Sequence, residues 1–161
     1  MVTKRYIPRT RHDPGKHLAL QCVHMRKHFP CFKCSLMRGT LECLGEITPS
    51  DDCDTYRIRI RLRRSGTPKV RVLNPEIQQS SKIHMFPTGD LCLFDHREKP
   101  WMEGDNLHEK IVPWTAEWLV YYELYLLTGR WLGTEAPHGS TPKKDQPNQA
   151  KLDAAADDKN N

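Results

Sequence analysis

Cys92 lies in the run His84-Met85-Phe86-Pro87-Thr88-Gly89-Asp90-Leu91-Cys92-Leu93, a nucleophile framed by two leucines inside a turn-rich stretch. Attack on an acyl carbon needs the thiolate, because the thiol is a poor nucleophile. Leu91 and Leu93 suit a shallow surface that keeps water from an acyl–sulfur bond. His84 and His96 would favour the thiolate, whereas Asp90 and Asp95 would raise the thiol pKa or orient an incoming amine. The bland alternative is a small buried apolar side chain, a common fate of free cysteine.

Two other patterns compete for attention. Cys31-x-x-Cys34, with Cys22, Cys43 and Cys53 nearby in sequence, invites a zinc reading. Structural zinc sites show two close ligand pairs at regular spacing. Here there is one pair followed by single cysteines, so ordinary thiols are expected, with neither metal nor cofactor. The run Arg57 to Arg71 holds seven basic residues and no acid. No aromatic side chains interleave the arginines to stack on bases, so docking of an acidic protein patch fits better than nucleic acid.

These residues must be positioned by the elements around them. Leu18, Cys22, Met25 and Phe29 form one stripe of an amphipathic helix, with Gln21, His24 and Lys27 assigned to its outer surface. Pro30 stops the helix. Phe32 to Ile47 reads as strand, with turn points expected at Gly39 and Gly45. Tyr56 to Arg63 alternates, with Ile58, Ile60 and Leu62 on one side and four arginines on the other. Ser65-Gly66-Thr67-Pro68 turns the chain into a short strand, Lys69 to Leu73, which ends at Asn74-Pro75.

Ser81 to Gly104 is broken by Pro87, Gly89 and Pro100. A long helix then opens near Pro113 and stops at Gly129. On it, Trp114, Trp118, Tyr121 and Tyr125 are expected to face inward and Tyr122 to lie on a flank. The fold class is α+β: an N-terminal helix, an antiparallel meander sheet, a cysteine-bearing loop and a C-terminal helix.

The 161 residues fit a basic arm (1–13), one domain (14–138) and a polar tail (139–161) with little to bury. An apolar fraction of 37% can build a core without disulfide or metal staples, and a net charge of +5 permits acidic partners without demanding them. No apolar run reaches the ~18–20 residues of a membrane span. The N-terminus lacks a secretory pattern, so the cysteines are expected to be reduced in the cytoplasm.

The segment around Cys92 resembles the active-site stretch of ubiquitin-conjugating enzymes, which runs from a His-Pro-Asn motif through a glycine to the acceptor cysteine. Trp101 takes the place of the family tryptophan that follows the cysteine. The resemblance covers about residues 14–135 and is closer to the bacterial branch found in antiphage CBASS operons. That branch is indicated by His84…Pro87…Gly89…Leu91-Cys92-Leu93, by Pro113-Trp114-Thr115-Ala116-Glu117-Trp118, and by Thr128-Gly129…Trp131-Leu132-Gly133.

The resemblance implies a thioester on Cys92, a cGAS-like nucleotidyltransferase as partner and covalent cargo, and an amine acceptor. His84, Asp90, Asp95, His96 and Trp101 would support the site. One departure is plain: no asparagine follows His84, so another group must steady the oxyanion during aminolysis. The chain also holds no Gly-rich phosphate loop to activate an acyl group itself. The alternatives are a binding module of the same fold and, less well matched, a nucleic-acid-binding protein.

Overall fold

The computed structural model describes residues 14–95, 100–102 and 104–133. The arm (1–13) and tail (139–161) expected at the two ends lie outside the described residues. Helix α1 (Pro14–His28) leads into strands β1 (Lys33–Met37), β2 (Thr40–Ile47), β3 (Tyr56–Arg63) and β4 (Lys69–Asn74). A 3-10 turn (Ser81–Ile83) and a π-helical turn (Leu107–Ile111) precede helix α2 (Val112–Thr128). The four strands form an antiparallel sheet in sequence order, a meander. The chain is thus α+β, with the element order that the resemblance to ubiquitin-conjugating enzymes implies.

The strand patterns have simple origins. In β3 the period of two buries Tyr56, Ile58, Ile60 and Leu62 and turns the arginines to the wet face. Leu41, Cys43 and Ile47 bury the matching face of β2, and Val70 that of β4. Leu18 and Met25 of α1, with Ile111, Val112, Trp118 and Leu119 near or on α2, complete one core cluster. Gly129, with φ 69°, ends α2 and donates its N–H to the Tyr125 carbonyl at 2.8 Å.

Three sequence expectations are revised. Gly45 is not a turn but an interior residue of β2, paired with Ile58. A Cβ there would lie 2.5 Å from Cγ of the buried Phe32, so the ring occupies the space a side chain would take. Gln21 is not on the surface: it is 1% exposed. Its Oε1 accepts the Leu107 N–H at 2.8 Å and its Nε2 donates to the Asp105 carbonyl at 2.7 Å. The buried amide is therefore satisfied, and it ties α1 to the segment that enters α2. Tyr122 is no flanking residue either, since its ring stacks on Trp118 at 5.5 Å and meets Tyr56 edge-on at 6.3 Å.

Candidate active site

His84 to Cys92 forms a miniature hairpin. Met85 and Leu91 make an isolated antiparallel bridge, and the Leu91 N–H donates to the Val70 carbonyl at 2.8 Å, tying the hairpin to β4. The turn closes when Gly89 N–H donates to the Phe86 carbonyl at 2.8 Å, with Gly89 at φ 81°. A left-handed residue at this point is why glycine is found there. The Cys92 N–H donates to the His84 carbonyl at 2.9 Å, which fixes the cysteine at the hairpin's foot.

His84 itself is strained. It is a non-glycine residue at φ 55° and is 7% exposed. Its ring lies 5.2 Å from that of Trp131. Residues in this region persist when their surroundings over-determine them. The hydrogen-bonded turn beneath and the tryptophan beside His84 supply that constraint.

Cys92 is half-buried in a small groove lined with it by His84, Leu93, Trp114, Trp118, Tyr121 and Trp131, with Glu117 at the helix surface. The volume is about 50 Å³, far below the ~300–1,000 Å³ typical of small-molecule pockets. Such a groove accepts a few atoms of a chain laid across it. Burial, then the negative charge of Asp95, push the Cys92 thiol above its ordinary pKa. Both effects disfavour the thiolate in the free protein.

The other expected site residues scatter. His84 shares the groove with Cys92, and Asp95 acts on it through charge. Asp90 is committed elsewhere: its carboxylate pairs with Arg71 at 3.0 Å and accepts from the Thr88 hydroxyl at 2.9 Å. It braces the hairpin turn against the arginine face of the sheet. Trp101 packs half-buried against the core and is not among the groove's lining residues. His96 lies outside the described residues.

Sequence reasoning did not assign Trp131, Tyr121 and Glu117 to the site. The run Trp131-Leu132-Gly133 carried the signal, since a Cβ on Gly133 would sit 2.8 Å from both Trp131 Nε1 and Tyr121 Cδ2. The glycine lets the chain fold the tryptophan over the groove. Phe94, 5.5 Å from Trp114, pins the segment after the cysteine to α2.

The cysteine pair that invited a zinc reading is split. Cys31 is exposed, while Cys34 is buried opposite Cys43 in the β1–β2 register. A hydrogen bond with the Cys34 thiol, reinforced by burial, pushes the Cys43 thiol strongly upward, as suits a core thiol.

Residues 21–139 match the family model described as type II CBASS E2 protein. The chain belongs to the type II CBASS E2 family. The match spans the sheet, the hairpin with Cys92, and α2. No curated protein matches the chain. Membership gives this E2 protein a conjugating-enzyme-like role in CBASS defence and associates it with the other components of that system. No helix among the described residues of the E2 protein is long and apolar enough to cross a membrane.

Proposed function

We propose that Cys92 accepts the C-terminal acyl group of a protein as a thioester and passes it to an amine, with a cGAS-like nucleotidyltransferase as cargo. The observation that carries this reading is the placement of Cys92: a cysteine within the span that the E2 family model matches, half-buried at the foot of a hairpin, in a groove too small for a free metabolite.

The chemistry balances in two steps. The acyl group arrives activated as a thioester on a partner chain. Cys92 Sγ attacks its carbonyl carbon, the new C–S bond forms, and the donor thiolate leaves with the proton that Cys92 gives up. An amine then attacks the Cys92 thioester, the C–S bond breaks, and the departing Cys92 thiolate recovers the amine's proton. The raised pKa makes Cys92 a better base and a poorer leaving group, so its thioester survives long enough to meet the acceptor.

The aromatic walls of the groove limit water around the acyl bond. In place of the family asparagine, a backbone N–H or a side chain brought by the partner supplies the oxyanion donor. The arginine face, where Arg59, Arg63 and Lys69 line one shallow groove beside Arg71, offers an acidic surface of the partner a docking site.

The test is intact mass of the E2 protein co-expressed with its CBASS partners, with and without added thiol. A thiol-labile adduct on the parent, lost in Cys92→Ala and replaced by a more durable oxyester in Cys92→Ser, is expected. An adduct that persists in Cys92→Ala overturns the assignment. A second reading, a docking module of the same fold, draws on the missing asparagine. It predicts that Cys92→Ala keeps both partner binding and phage protection.

A further inference from the structure

His24 and His28 stand one turn apart on α1, the spacing that places both imidazoles on one helix face. His108 comes to them from the π-helical turn (Leu107–Ile111), across the seam that Gln21 bridges. The His28 and His108 rings lie 4.3 Å apart and the His24 and His108 rings 5.1 Å, all nearly parallel. One nitrogen from each of the three lies within 4.8 Å of the others.

His108 gives the second, independent sign. Its side chain is 9% exposed, and its Nδ1 is buried with no hydrogen-bond partner. A buried ring nitrogen left unpaired is costly. The charged neighbours of the cluster are Glu109, with Oε1 3.7 Å from His108 Nε2, and Lys27 on α1.

We propose that His24, His28 and His108 form a binding site for a divalent transition-metal ion, with zinc the principal occupant and water in the remaining position. An all-imidazole donor set favours zinc, nickel, copper or cobalt over magnesium or calcium, which prefer oxygen. Tetrahedral zinc with Zn–N near ~2.0–2.1 Å requires the nitrogens to close to about 3.4 Å. The exposed His28 and half-buried His24 reach this by side-chain rotation, with His108 as the fixed member. The bound ion would staple α1 to the segment between the Cys92 loop and α2. This site is separate from Cys92 and does not depend on the thioester reading.

The experiment starts from the full chain dialysed against EDTA and then against buffer. Addition of zinc chloride is expected to give one bound equivalent by calorimetry and a rise of several degrees in Tm. Magnesium chloride is expected to give neither. His24→Asn/His28→Asn, which changes only the helix face and leaves the buried His108 in place, is expected to abolish both effects. Cys31→Ser/Cys34→Ser is expected to leave them intact. Cobalt(II) as a probe is expected to show ligand-field bands without the near-ultraviolet charge transfer of a thiolate ligand. The proposal is overturned if zinc leaves Tm and heat unchanged, meaning a metal-free imidazole stack. It fails equally if the response survives in the double histidine variant or disappears in the double cysteine variant.

Discussion

The Cys92 N–H and the His84 carbonyl meet at 2.9 Å, so Cys92 is anchored to a histidine whose own backbone is left-handed at φ 55°. The position of the sulfur therefore depends on a strained residue, and the strain is held in place by the ring of Trp131, 5.2 Å away.

Substitution of His84 should track backbone tolerance before side-chain chemistry. Asparagine enters the left-handed region with little penalty, whereas a β-branched residue does so poorly. His84→Val is expected to lose about 1–3 kcal/mol more stability than His84→Asn. Urea denaturation midpoints of the two variants make the comparison. Equal midpoints would show that the turn relaxes without cost.

Cys92 should be a reluctant thiol in the free protein. Its pKa is raised first by burial and then by Asp95. The thiolate fraction falls as pKa rises, so alkylation at neutral pH is expected to be slow and to accelerate through and beyond the ordinary cysteine range. Asp95→Asn removes the charge and should shift the profile to lower pH. Iodoacetamide labelling of Cys92 against pH, read by peptide mass, gives both curves. A profile centred below that of free cysteine would contradict the structure.

Gly45→Ala should be harmful despite its modest chemistry. The new Cβ would lie 2.5 Å from Phe32 Cγ in a strand interior, between β1 and β3. Overpacking of this kind costs about 1–3 kcal/mol, and Phe32→Leu in the same chain should recover part of it. Thermal melts of the single and double variants measure the coupling. Additive losses would mean that the ring and the glycine are not in competition.

The aromatic pair on α2 should behave as one unit. Trp118 is 4% exposed, and Trp118→Ala is expected to cost about 3–5 kcal/mol. Tyr122 stacks on it at 5.5 Å, so Tyr122→Ala should also destabilise the fold, by about 2 kcal/mol or more. The double variant should lose less than the sum. Denaturation of all three variants decides this, and a Tyr122→Ala protein that melts like the parent would return that residue to the surface.

The sequence determined the parts whose signal is local. The period of two in Tyr56–Arg63 and the helical spacing of Leu18 and Met25 are read from neighbouring residues, because each strand or helix turns its own side chains to one face. The turn-rich character of the His84–Leu93 run was legible for the same reason: its turn residues and its cysteine are contiguous. Gly45, Gln21 and Tyr122 were misjudged because what faces each of them comes from a distant part of the chain. Phe32 fills the space over Gly45, Leu107 and Asp105 satisfy Gln21, and Tyr56 closes on Tyr122. Only tertiary packing brings Trp131 over Cys92 or His108 against His24 and His28. No local periodicity encodes a contact between side chains that approach across a core, and so the groove and the histidine cluster became visible only when the helices closed on the sheet.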